Sequence, residues 1–200
     1  MPYKKVKVSI EGRLPHLQAN GQMANPLYHW ARISKPINAQ RKKSEEDIIK
    51  ILEYNFKGSL YIDGPVADLD AGPVVVPSEN VHAMLKEAAK NFKLGKVWDQ
   101  SVTIVGNFPL KYKGPKTRGA LWEDESFRHT CMVKRGNVRV LACRPIFREW
   151  ALDFEVSYVT ERMNPDQFRQ ILEWAGDYIG LSDWKYRNGL FSVTSMSNGR

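Results

Sequence analysis

In "KKVKVSI", residues 4–10, Val6, Val8 and Ile10 alternate with Lys5, Lys7 and Ser9. A two-residue period predicts a strand with one buried face. The same period runs through "WALDFEVSYV", residues 150–159, where Trp150, Leu152, Phe154, Val156 and Tyr158 face inward against Asp153, Glu155 and Ser157. "RHTCMVK" (128–134) and "VRVLACR" (138–144) are joined by Gly136-Asn137. That pair suits a two-residue hairpin turn, and the register it sets puts Cys131 opposite Ala142. "GLFSV" predicts a last strand over 190–194, and 195–200 reads as a flexible tail.

Helical periodicity is clearest in "SENVHAMLKEAAKNF", residues 78–92, with Ser78 as cap and Val81, Met84, Leu85, Ala88 and Phe92 as the apolar stripe. "NPDQFRQILEWAGDYIG" places Asn164 as cap, Pro165 at the first helical position, and Phe168, Ile171, Leu172, Ala175 and Ile179 on one face. "SEEDIIKILEYNF" opens on a capping-box pair, Ser44 and Asp47, with Ile48, Ile51, Leu52 and Phe56 following on one face. "SLYID" and "PVVVP" read as a short hairpin, and "VTIVG" and "PLKYKG" as two further short strands. Much of the segment 13–77 is rich in Gly, Pro and Asn and has no steady period, which marks it as an insertion. The strongest elements are strands 4–10, 138–144, 150–159 and 190–194 and helices 78–92 and 165–179. Their order is βαββαβ: an α+β, ferredoxin-like core with a long insertion after the first strand and extra β-hairpins.

The chain has 200 residues, 42% hydrophobic and 26% charged, which describes an ordinary globular domain. Its net charge of +8 is what changes the picture. The excess recurs in "QRKKS" (Arg41, Lys42, Lys43), "KYKGPKTRG" (Lys111, Lys113, Lys116, Arg118), "VKRGNVRV", "CRPIFRE" (Arg144, Arg148) and "DWKYRN" (Lys185, Arg187). Basic residues on turns, interleaved with aromatics, suit the phosphates and bases of a single strand. "KYKGPKTR" reads as a loop for polyanion contact. For "CRPIFRE" two readings stand, a phosphate clamp with an apolar wedge or a core-closing turn.

The loop "GLSDWKYRNG", Gly180–Gly189, joins the last helix to the last strand. Such connections usually need two to six residues. Lys185 and Arg187 suit phosphates. Trp184 and Tyr186 either stack on bases or close the edge of the core. The outer face of strand 150–159 offers Ala151, Asp153, Glu155 and Ser157, beside Lys5 and Lys7. Cross-strand ion pairs are expected there, and a carboxylate-bearing face without rings disfavours binding on the open sheet.

A glycine-flanked loop between the last helix and last strand of a ferredoxin-like fold resembles the RAMP superfamily, the RNA-binding subunits of CRISPR effector complexes, including their filament-forming backbone subunit. "RPIFREW" also resembles a turn in uncharacterised bacteriophage-encoded proteins. The resemblance covers roughly residues 1–12 and 78–194. It implies a single RAMP-like domain over 1–200; the segment 13–77, which it does not cover, is expected as an insertion and oligomerisation segment. It also implies largely sequence-independent binding of RNA or single-stranded DNA, with head-to-tail homo-oligomers along the strand. The nucleic-acid contacts expected are Gly180, Trp184, Lys185, Tyr186, Arg187, Gly189, Lys111, Lys113, Lys116, Arg118, Arg144, Arg148, Arg41, Lys42 and Lys43. Exposed apolar residues of the insertion (Leu14, Leu17, Met23, Leu27, Trp30) would serve assembly.

Two other functions stand beside this one. Some CRISPR-processing nucleases of the superfamily use a histidine near the first helix, so His16 or His29 is the candidate base of a metal-independent endoribonuclease. A structural subunit whose basic loops meet acidic protein surfaces is the other. His16, His29, His82 and His129 show neither metal-ligand spacing nor a triad motif. Asp63, Asp68 and Asp70 match no calcium-loop pattern and read as a polar loop. No cofactor, metal or catalytic residue is expected. Cys131 and Cys143 are expected as free, buried thiols. No apolar run reaches 18 residues and the first ten residues carry no signal-peptide core, so a cytoplasmic protein of a bacterium or phage-infected cell, without membrane contact, is expected.

Overall fold

A computed structural model describes residues 3–64, 72–181 and 183–199. In chain order its elements are β1 (Tyr3–Gly12), β2 (His16–Leu17), a 3₁₀ turn (Gly21–Ala24), α1 (His29–Ala39), α2 (Glu45–Ser59), β3 (Val75–Pro77), α3 (Ser78–Asn91), α4 (Gly95–Ser101), β4 (Val102–Thr103), β5 (Asn107–Lys111), α5 (Arg118–Glu123), a second 3₁₀ turn (Glu125–Phe127), β6 (Arg128–Arg135), β7 (Val138–Phe147), β8 (Ala151–Val159), α6 (Pro165–Trp174), a π-helical turn (Ala175–Ile179) and β9 (Phe191–Asn198). The chain divides into two compact units, Met1–His16 with Val75–Lys113 and Phe147–Arg200, and Leu17–Val74 with Gly114–Ile146. The segment 13–77 is therefore shared between them.

The first unit is ferredoxin-like. Its sheet runs β3-β5-β8-β1-β9, with β4 also paired to β8. β1 lies antiparallel to β8 from Tyr3↔Val159 to Glu11↔Ala151, and antiparallel to β9 on its other side. Val6, Val8 and Ile10 meet Val156, Phe154 and Leu152 in that register, and all six are buried. Tyr158, on the same face of β8, stacks on Phe168 of α6 with ring centroids 5.0 Å apart. Phe168, Ile171 and Leu172 are fully buried, each worth about 1.5–3 kcal/mol of transfer free energy. Asn164 and Gln167 form the capping box that starts α6, with Pro165 in the first turn.

The second core strand is not 138–144. It is a split strand: Val102 and Thr103 pair with Tyr158 and Ser157, and Leu110 and Lys111 pair with Leu152 and Ala151. Gly106 turns between the two pieces at φ 106°. Neither piece is long enough to show a period. β9 extends to Asn198, opposite Val6, so the expected tail at 195–200 is strand through residue 198. Ser78 is the first residue of α3 rather than its cap, which is Pro77. Val75–Pro77 pairs with β5, and a lone bridge, Ile62↔Val74, is what exists of the expected "SLYID"/"PVVVP" hairpin.

The second unit holds α1, α2, α5 and, up to Ile146, the β6–β7 hairpin. Ser44 and Asp47 form the predicted capping box on α2. α1 lies where the sequence predicts no helix: Tyr28 gives it no side-chain cap, and Pro36 interrupts its interior. Leu17 and Trp30 are buried, whereas Leu27 is exposed; the first two are core, not assembly surface. The β6–β7 hairpin turns at Gly136-Asn137 and pairs Cys131 with Ala142. Both thiols are free, Cys143 buried and Cys131 only half-buried.

Candidate nucleic-acid interface

The loop leaves the first unit's last helix through a π turn, with the Gly180 N–H donating to the Ala175 carbonyl at 2.9 Å. Gly180 has φ 81° and ψ 148°, a region open essentially to glycine alone. A Cβ there would stand 2.3 Å from the Asn188 carbonyl oxygen. The loop is pinched at its neck. The Leu181 N–H donates to the Gly189 carbonyl at 2.8 Å, and the Gly189 N–H donates to the Pro15 carbonyl at 2.7 Å. His16 is 3% exposed and donates its Nδ1–H to the Leu181 carbonyl. Its ring lies 5.2 Å from that of Trp150, and burial drops its pKa to about 4.

Beyond the neck, the Tyr186 N–H donates to the Ile179 carbonyl at 2.9 Å. Trp184 and Tyr186 adopt φ of 57° and 70°. Left-handed backbone costs a side-chain-bearing residue about 1–2 kcal/mol, and such strain concentrates at functional sites. The conformation keeps both rings outside, 38% exposed for Trp184 and 59% for Tyr186. Leu181 and Phe191, both buried, belong to the core at this end of the loop.

Glu87 of α3 receives the loop. Tyr186 Oη donates to Glu87 Oε1 at 2.6 Å, and Lys185 Nζ donates to Oε2 at 3.0 Å. The Tyr186 hydroxyl, then Lys185, hold the Glu87 carboxyl below its ordinary pKa, while Glu87 raises that of Tyr186. The arrangement offers a hydroxyl and an ammonium to the two oxygens of one anion. Arg187 is exposed.

The other expected contacts fall in different places. Lys5 is ion-paired to Glu155 at 3.9 Å, one of the cross-strand pairs anticipated for the open sheet face, while Asp153 is taken by Lys111, an expected nucleic-acid contact. Lys113 and Arg148 are exposed in this unit. Arg41, Lys42, Lys43 and Lys116 are exposed in the second unit, where Lys43 Nζ donates to the Gln40 carbonyl at 2.7 Å. Arg118 is a correction: it is 5% exposed, its guanidinium 5.8 Å from the Trp30 ring centroid, and it serves packing. Arg144 is half-buried and lines a cleft of the second unit.

Sequence reasoning missed Glu87 and Tyr178. Glu87 lies nearly a hundred residues from the loop, with no local signal. Tyr178 did leave one: it falls off the apolar stripe immediately before the loop. It is 56% exposed, and its ring lies 4.2 Å from that of Trp174, adding an aromatic surface at the loop's root. Among the described residues no three His, Cys, Asp or Glu side chains converge as for a metal; Asp68 and Asp70 lie outside them. No helix among the described residues is long and apolar enough to cross a membrane.

The whole chain is similar in fold to one from the cryo-EM structure of the Type III-B Cmr-beta bound to cognate target RNA. The TM-score is 0.53 at 10% identity, over 98% of this chain and 60% of that one. This chain thus spans about three-fifths of its neighbour's length. No protein-family model matches it. No curated protein matches it either.

Proposed function

We propose that this chain is a non-enzymatic, RAMP-type protein that binds single-stranded nucleic acid, RNA foremost, largely without regard to sequence. One observation carries the reading: Lys185 and Tyr186 already converge on the two oxygens of a carboxylate. A phosphate presents acceptor oxygens to the same donors. Exposed Trp184, Tyr186 and Tyr178 supply faces for bases around that point. The neighbour's complex holds target RNA, which supports RNA over DNA. Head-to-tail assembly along the strand is the finer part of the proposal, supported by exposed Leu27 in the second unit.

A nuclease finds less support. His16 is buried and neutral at physiological pH, and the His29 ring packs edge-on against Trp30 at 5.1 Å. The test is anisotropy with labelled single-stranded RNA, single-stranded DNA and duplex RNA. Single strands should bind with steep salt dependence, little sequence dependence and no cleavage. Binding to duplex alone, or none at low salt, would contradict the proposal.

A further inference from the structure

The second unit contains a half-open cleft of about 390 Å³, whose walls include Asn20, Met23, Asn55, Ser59, Cys143 and Arg144. Its volume falls within the range of small-ligand sites, roughly 300–1,000 Å³. Among the described residues, Arg144 is the one charged group lining it, and no carboxylate does so. Asn55 and Ser59 stand one helical turn apart on α2, so their amide and hydroxyl fall on one face. Small residues at 19, 21, 24 and 142 make the room.

The remaining wall is built to stay in place. Asn20 accepts from the Gln22 N–H at 3.0 Å and donates to the Leu60 carbonyl at 3.3 Å. Met23 is seated because Gly58 has no side chain: a Cβ there would come within 2.2 Å of the Met23 sulfur and 2.8 Å of Trp30 Cβ. The polarisable thioether of Met23 gives the cleft an adaptable apolar wall.

We infer that this cleft is a binding site for one nucleoside 5′-monophosphate unit. Arg144 takes the phosphate. The base lies against Met23, with Asn55 and Ser59 at its edge. The inference deepens the nucleic-acid reading by adding a single-nucleotide subsite on the second unit. Its test uses the free monophosphate, so it does not depend on strand binding by the loop.

The experiment is a methyl-NMR titration of the full chain, labelled at Met and Ala, with AMP, adenosine and inorganic phosphate. AMP should give saturable shifts at Met23, Ala24 and Ala142. Adenosine and phosphate should each bind more weakly by about tenfold or more, because one forgoes the guanidinium and the other the apolar wall. Arg144→Gln should weaken AMP by about tenfold and leave adenosine unchanged. Ala24→Leu, at an exposed position, should weaken AMP and adenosine alike without unfolding the protein. Absence of saturable shifts with millimolar AMP would overturn the inference. So would inorganic phosphate binding as tightly as AMP, or AMP affinity unchanged in both variants. Should Lys185→Ala/Arg187→Ala abolish strand binding while AMP still saturates the cleft, the loop and the cleft are separate sites, as inferred. AMP binding to a chain that binds no strand would remove the loop's proposed function and leave the cleft standing.

Discussion

Tyr186 donates its hydroxyl to Glu87 at 2.6 Å, across 99 residues of sequence, while Lys185 holds the other oxygen of the same carboxylate. A strand phosphate must displace that carboxylate to reach the same donors. Glu87→Gln removes the competing charge and leaves a neutral hydrogen-bonding group. Since exposed ion pairs are worth about 0.2–1 kcal/mol, affinity for single-stranded RNA should rise roughly 1.4- to fivefold at low salt. Anisotropy titrations of the two proteins measure this directly, and weaker binding by the variant would show that Glu87 orients the loop for its ligand.

Trp184 separates gripping from plugging. With Trp184 38% exposed, Trp184→Ala should cost about 1–3 kcal/mol of binding free energy if the ring stacks on a base. Its melting temperature should stay at or above the wild-type value, because alanine adopts the left-handed backbone at no greater cost. A lowered melting temperature with unchanged affinity would make the ring a structural cover.

Gly180 tests the neck. Its φ of 81° and the 2.3 Å approach of the Asn188 carbonyl to any Cβ make Gly180→Ala destabilising by about 2 kcal/mol or more. Urea denaturation should show a lower midpoint with an unchanged slope. A variant as stable as wild type would mean that the neck adopts another geometry.

His16 sets a pH dependence. Burial drops its pKa from 6.5 to about 4, and the hydrogen bond to Leu181 offsets only part of this. The unfolded chain therefore gains a proton near pH 6.5, while the folded chain stays neutral until about pH 4. Between those values the unfolded state binds more protons, so stability falls as pH falls, by roughly 3 kcal/mol in all, and is fully present above pH 6.5. His16→Asn keeps an N–H for the Leu181 carbonyl and removes the titration. The stability difference between wild type and variant should shrink across that window, and a difference independent of pH would place the His16 proton elsewhere.

The fold was legible where one residue's neighbours decide its state. The alternation of β8, the Asn164-Pro165 start of α6, the Ser44/Asp47 box and the Gly136-Asn137 turn with its Cys131↔Ala142 register all rest on local chemistry. What escaped was decided at a distance. Val102–Thr103 and Asn107–Lys111 make one core strand only because β8 aligns both pieces, so the more regular 138–144 stands out in the sequence instead. Arg118 looks like a loop cation, yet it is buried beside Trp30, far away in sequence. The loop's position and its rings were readable from its glycines and aromatics. The carboxylate that organises it was not.

The central claim is that the Gly180–Gly189 loop grips a phosphate backbone, and the salt dependence of binding tests it most directly. Lys185→Ala/Arg187→Ala should weaken single-stranded RNA binding about equally for unrelated sequences. The slope of log K against log salt should fall by roughly 0.7 for each phosphate the variant no longer neutralises. A double variant with wild-type affinity and wild-type slope would contradict the account.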